Sequence, residues 1–209
     1  MKLIADRVTK QIKNNLILDN ISLQMEGGRV YGVIGRNGSG KTMLFRALSG
    51  LMSLSSGDVL LDDQKLGKDI SVLPSLGIVL ENVGLYPELN AYDNLKYLAG
   101  FKHIAGPWQI RESIARVGLD PDDKRAYRKY SLGMKQRLAI AQAVMESPDV
   151  IMLDEPTNGL DTDGVGLIRK LVQEEKERGA LILLASHNSD DIRLLSDQVF
   201  RIEKGRIEE

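Results

Sequence analysis

The stretch "GRNGSGKTMLFRALSG", residues 35–50, decides how this chain is read. Gly35, Gly40, Lys41 and Thr42 fit G-x-x-x-x-G-K-[ST], the pattern of a loop that wraps phosphates. Across Gly35, Arg36, Asn37, Gly38, Ser39 and Gly40 the backbone N–H groups are expected to form an anion nest. The N-terminus of the following helix adds partial positive charge. Lys41 is expected to reach the outer phosphates, and the Thr42 hydroxyl to ligate magnesium. The context fits the motif. "RVYGVI" (29–34) reads as a buried strand, and "TMLFRALSG" (42–50) sets Leu44, Ala47 and Leu48 at helical spacing and stops at Gly50. Kinases, switch GTPases, helicases and transport ATPases all carry such a loop, so the loop alone does not name the reaction.

Outward from the loop, residues 2–9 and 16–25 alternate apolar and polar positions and predict paired strands with one buried face. "GDVLLDD" (57–63) and "LGIVLE" (76–81) predict further strands. From about 91 to 147 the pattern is helical. Then strand "DVIMLDE" (149–155), helix "GVGLIRKLVQEEKERG" (164–179), strand "ALILLAS" (180–186), a short helix near 189–195 and strand "QVFRIEKG" (198–205) follow. Strands alternating with helices predict a mostly parallel sheet covered on both faces, interrupted by a helical insert at about 85–147.

With 209 residues, 43% of them hydrophobic, the chain suits one good-sized globular domain. Lys plus Arg (28) nearly balance Asp plus Glu (29), without the basic excess of a protein that wraps nucleic acid. "KRAYRKY" (124–130) therefore reads as a solvated face, and no nucleic-acid partner is expected. There is no cysteine, which excludes disulfides and cysteine–zinc sites and fits a reducing compartment. The longest apolar run, "ALILLA" (180–185), is far short of the roughly 20 residues that span a bilayer. The expectation is a cytoplasmic chain that works at a membrane only by docking on another polypeptide.

"VIMLDEP" delivers Asp154 and Glu155 to the C-terminal end of a strand, beside the phosphate loop. Asp154 is expected to hold magnesium, and Glu155 to orient or deprotonate the attacking water. In "YSLGMKQRLAIAQAV" (130–144), Ser131 and Gly133 precede a helix. A helix N-terminus with free N–H donors suits an anion; an ordinary Ser cap is the plainer use of the same residue.

This last stretch resembles the signature of ABC ATPases, consensus L-S-G-G-Q followed by a glutamine–arginine pair. Tyr130, Ser131, Leu132, Gly133 and Met134 take the five places, with Gln136 and Arg137 behind them. "PTNGLD" (156–161) resembles the family's D-loop, ending at Asp161. "LLASHN" resembles its switch segment, placing His187 at a strand end, where the resemblance implies contact with the γ-phosphate. The likeness runs over the whole chain. It implies a P-loop NTPase fold with an N-terminal antiparallel β part, as a single domain 1–209 with a core of about 1–84 and 148–209 and a helical subdomain of about 85–147. It also implies ATP and Mg2+ as ligands. A second copy would pair head to tail, two ATP being sandwiched between the loop of one subunit and the signature of the other. An integral membrane permease would be the transport partner, leaving this chain peripheral on the inner face of the cell membrane.

Three positions depart from the family pattern. Ile12 stands where members carry an aromatic that stacks on adenine. Glu81 stands where they carry a glutamine that reaches the metal and the attacking water. Leu132 and Met134 alter the signature but leave Ser131 and Gly133 in place. Glu81 with "GLYPEL", and the leucine in the signature, resemble exporter ATPases for drugs, bacteriocins and lantibiotics. Peptide antibiotic, drug and lipid all stay open as cargo, and a soluble ABC ATPase of iron–sulfur cluster assembly stays open as the alternative function.

Overall fold

The computed structural model describes residues 1–80 and 84–208; Glu81 lies outside the described residues. Two sheets form the body. β1 (Lys2–Ile12), β2 (Asn15–Glu26), β4 (Ser56–Leu61) and β5 (Gln64–Lys65) make an antiparallel sheet in the order β2-β1-β4-β5. The second sheet contains β3 (Arg29–Ile34), β6 (Leu76–Val79), β7 (Val150–Asp154), β8 (Leu181–Ala185), β9 (Gln198–Glu203) and β10 (Arg206–Glu208). Its order is β10-β9-β3-β8-β7-β6, parallel throughout except for the antiparallel β9–β10 hairpin.

The parallel sheet follows from composition. "VIMLD" and "LILLA" are buried at every position, as strands covered on both faces must be. Helices α5 (Thr162–Glu177) and α6 (Ser189–Leu195) connect β7, β8 and β9; α1 (Lys41–Ser49) leads from β3 to β4 of the antiparallel sheet, while α2 (Ala91–Lys102), α3 (Pro107–Arg116) and α4 (Leu132–Val144) lie between β6 and β7. Two apolar cores result. One centres on α1, β1 and β2, with Tyr31, Phe45 and Leu48; the other gathers α2, α3, α4 and α5 around Leu95, Ile114 and Leu138.

Helix α4 belongs to the second core and also rests directly on the sheet. A Cβ added to Gly77 of β6 would stand 1.9 Å from the carbonyl oxygen of Ala143, so only glycine lets the helix approach this closely. Tyr31 is core, as read from the sequence: it is buried, stacks on Phe200 at 5.8 Å, and its hydroxyl accepts the Glu26 N–H at 2.7 Å.

The expected strands and helices are present, with shifted ends. Helix α5 starts at Thr162 because the Asp161 carboxylate accepts the Gly164 N–H at 2.9 Å and caps it. Strands β5 and β10, of two and three residues, have no signature of their own in the sequence; each is ordered by an adjacent strand that offers backbone partners.

Candidate nucleotide site

Strand β3 ends at Ile34, and the chain turns through residues 35–40 into α1. The turn needs glycine. Gly38 and Gly40 have φ of 78° and 114°, and a Cβ on Gly35 would stand 2.3 Å from the Ile202 carbonyl oxygen. The loop is braced from behind by the β9–β10 turn: the Gly205 N–H donates to the Ser39 carbonyl at 2.9 Å, and the Asp19 N–H to the Gly205 carbonyl at 2.8 Å. Inside the loop, the buried Ser39 Oγ has no hydrogen-bond partner among the described residues. Lys41, also buried, donates from Nζ to the carbonyls of Gly35 at 2.8 Å and Arg36 at 3.4 Å. A glycine turn at a helix N-terminus, a buried ammonium and the buried Ser39 hydroxyl form a cradle suited to phosphate oxygens.

A cavity of about 520 Å³ opens over this loop. It is lined from the loop and α1 by Asn37, Gly38, Gly40, Lys41 and Thr42, from the ends of β7 and β8 by Asp154, Glu155, Asn158 and His187, and by the apolar side chains of Ile17 and Met43. Parallel strands β7 and β8 end side by side, with Asp154 opposite Ala185, and so bring their two following loops to the same place. The Thr42 hydroxyl is hydrogen-bonded to Asp154 Oδ2. A hydroxyl and a carboxylate are hard oxygen donors, and Mg2+ is commonly held by one or two such groups together with substrate phosphates. Among the described residues there is no group of three His, Cys, Asp or Glu side chains that would cage a cation unaided. The donor set therefore fits Mg2+ bound together with a nucleotide.

Glu155 sits in left-handed backbone conformation, φ 52°, its N–H held by the Ala185 carbonyl at 2.8 Å. Its Oε2 accepts the His187 N–H at 3.2 Å and lies 2.7 Å from His187 Nδ1. Gln136 of α4 donates from Nε2 to the carbonyls of Glu155 at 3.2 Å and Pro156 at 3.4 Å.

The signature lies elsewhere. Ser131 caps α4, its hydroxyl accepting the Met134 N–H at 3.2 Å, and Leu132 is 72% exposed. None of residues 131–134 lines the cavity. Gly133 and Leu132 instead rest on Gly159 and Leu160 of the loop that follows Glu155. Ile12, at the exposed end of β1, is not among the lining residues either. The apolar part of the lining is made by Ile17 and Met43, which sequence reasoning did not single out. Their signal was weak: the alternation of β2 shows which residues share a face, not that one face meets a ligand.

Loop, acid pair and sheet order together define a nucleotide-binding P-loop ATPase. The ABC transporter family model matches residues 18–158, and the chain belongs to that family. It is 47% identical over 201 residues to the uncharacterised ABC transporter ATP-binding protein YybJ of Bacillus subtilis, spanning 96% of this chain and 92% of the relative. It is 35% identical to the lantibiotic transport ATP-binding protein SrtF of Streptococcus pyogenes (95% and 85%). It is 34% identical to the bacitracin transport ATP-binding protein BcrA of Enterococcus faecalis (98% and 67%). In fold it is similar to MJ0796, a solved dimeric ABC transporter cassette, with a TM-score of 0.89 at 24% identity over 99% and 97% of the two chains.

Proposed function

We propose that this chain binds ATP with Mg2+ at the Lys41–Thr42–Asp154 site, hydrolyses it as half of a head-to-tail pair, and thereby drives a membrane permease that exports a peptide antibiotic or similar amphipathic cargo. The observation that supports the pairing is the separation of the signature from the cavity. Ser131, Gly133 and the exposed Leu132 lie outside the nucleotide wall of their own chain, so they are free to face a nucleotide held by a second copy. The cargo reading rests on the lantibiotic and bacitracin relatives, which also favour transport over iron–sulfur assembly.

The chain's own groups divide the work. The loop N–H groups and Lys41 hold the phosphates and offset their charge. Mg2+, when bound, supplies further charge neutralisation at the phosphate oxygens, with Thr42 and Asp154 as protein ligands. Glu155 accepts a hydrogen bond, and then the proton, from the attacking water. His187, placed by its contacts to Glu155, presents its ring to the γ-phosphate. Asp161 anchors α5 as an N-cap and sets the end of the loop that carries Asn158. Glu81 lies outside the described residues; it is assigned two roles, as a further magnesium ligand and as the residue that couples the site to the segment facing the permease.

No helix among the described residues is long and apolar enough to cross a membrane. The permease is assigned to a separate polypeptide on the likeness to transport ATP-binding proteins, which would place this chain on the inner face of the cell membrane. Its docking face is assigned to the segment from Gly84 to Leu95 with α2. There Tyr86, Tyr97 and Phe101 are exposed and stack edge to face at 4.9 and 5.4 Å. ATP hydrolysis by the purified chain tests the reading. Turnover with magnesium and none with a chelator supports it, and turnover indifferent to chelation contradicts the assigned metal role.

A further inference from the structure

We infer that Asp191 and Thr157 are positioning residues that hold Glu155 and His187 in register across the ends of β7 and β8. The inference rests on the ATPase reading and adds to it two residues that do not line the cavity.

Asp191 is fully buried, in α6, four residues beyond His187. Its two oxygens have different partners. Oδ2 accepts the hydroxyl of Thr157, itself buried, two residues beyond Glu155. Oδ1 accepts Arg169 Nε at 2.8 Å, and Arg169 Nη2 lies 2.6 Å from the same oxygen. A carboxylate removed from water is tolerated only when its lone pairs and charge are met, and here both are. Arg169 supplies the charge from α5. Thr157 supplies the direction, because it ties α6 to the turn that begins at Glu155.

The consequence is a closed frame. The loops after β7 and β8 are joined near the strand ends by Glu155–His187 and farther out by Thr157–Asp191. The first joint involves a partly exposed glutamate and an exposed histidine, at the wall of a cavity where ligand must enter. The Glu155 backbone is held separately, by the Ala185 carbonyl and by Gln136, and neither of these reaches α6. The second joint is buried and does not meet the cavity. It fixes the turn from Glu155 to Asn158, in which the Asn158 N–H donates to the Glu155 carbonyl at 3.2 Å, and it fixes α6 relative to that turn. Removing the Thr157 hydroxyl leaves the Glu155 end of the turn held by the Ala185 carbonyl and by Gln136 but unties the turn from α6, so the acid and the histidine lose part of their shared placement while the phosphate loop is untouched.

The test compares Thr157→Val, which keeps shape and removes the hydroxyl, with Thr157→Ser, which keeps the hydroxyl, and with Asp191→Asn. Two readouts are taken: steady-state ATPase, and the ring NMR signals of the chain's two histidines, His103 and His187. In Thr157→Val, kcat is expected to fall about 10- to 100-fold, as for a small misplacement of reacting groups, with KM for ATP little changed. Thr157→Ser is expected to recover most of the rate. The His187 signals are expected to shift or broaden in Thr157→Val and Asp191→Asn while those of His103, at the end of α2, stay in place. Should Asp191→Asn not fold, Thr157→Val decides alone. Unchanged kcat in folded Thr157→Val, or His187 signals identical to wild type, overturns the inference. A wild-type chain without turnover counts against the ATPase reading instead, and the His187 signals still decide the frame.

Discussion

The Glu155 carboxylate lies 2.7 Å from His187 Nδ1 and accepts the main-chain N–H of the same residue at 3.2 Å. An ionised carboxylate offers only acceptors, so this contact selects the tautomer with the proton on the facing ring nitrogen. His187 is thereby oriented by the same group assigned to activate water, and the two cannot be repositioned independently. Such fixed placement suits the proposed role, since positioning and electrostatics supply most of the catalysis in phosphoryl transfer.

Lys41→Ala removes the ammonium from the cradle and leaves the backbone nest. Lys41 Nζ is held by the Gly35 and Arg36 carbonyls, so its loss also loosens the first half of the loop. Nucleotide affinity is expected to fall, and hydrolysis to drop by at least about 100-fold, the scale for removing one charge-stabilising donor. Titration with a fluorescent ATP analogue and a steady-state assay check both.

Shared sites make a distinct prediction for mixtures. Ser131→Arg spoils the signature, and Lys41→Ala spoils the loop. A heterodimer of the two keeps one site with both parts intact, so mixing is expected to restore part of the activity that each variant lacks alone. Activity of the mixture no greater than that of either variant contradicts sites built from two chains.

Gly77→Ala tests the seat of α4. The added methyl would stand 1.9 Å from the Ala143 carbonyl oxygen, and both atoms sit in regular elements with little freedom to retreat. The expected loss is about 3 kcal/mol, the upper end for overpacking. Urea unfolding followed by circular dichroism measures it. A variant as stable as wild type shows that β6 and α4 separate more easily than their packing implies.

Stability should also depend on acid through Asp197. Burial pushes this carboxyl up, but Lys176 and the Val30 N–H, which it accepts at 2.8 Å, outweigh burial and hold it below the usual carboxylate range. A depressed folded-state value contributes stability above the unfolded value of about 3.9, and that stability is lost as pH falls through the folded one. Between pH 5 and 3, wild type is therefore expected to lose more stability than Asp197→Asn in parallel thermal melts. Equal losses remove Asp197 as a contributor.

Much of this site is legible in the sequence because its parts are local. A glycine loop between strand and helix, an acid pair ending an apolar strand, and a serine opening a helix each carry their geometry within a few residues. What stays hidden depends on residues distant in the chain. The Thr157–Asp191 bond joins positions 34 apart; Thr157 lies within the D-loop-like "PTNGLD", but nothing in that segment points to Asp191. Ile17 reaches the cavity only because β2 passes beside the loop, where the Gly205 turn pins it. Ile12, expected at adenine from the alignment of "VTKQIKNNLILDNISL", stands outside the lining residues, and Glu81 lies outside the described ones.

Glu155→Gln tests most directly whether Glu155 drives hydrolysis in a dimer closed by ATP. The substitution keeps size and one acceptor oxygen but removes the base. Turnover is expected to fall about 10²–10⁴-fold, the usual contribution of a general base. ATP should still bind, and size-exclusion chromatography with ATP should show a persistent dimer that wild type shows only transiently. Turnover near wild type, or a variant that stays monomeric with ATP bound, contradicts the account.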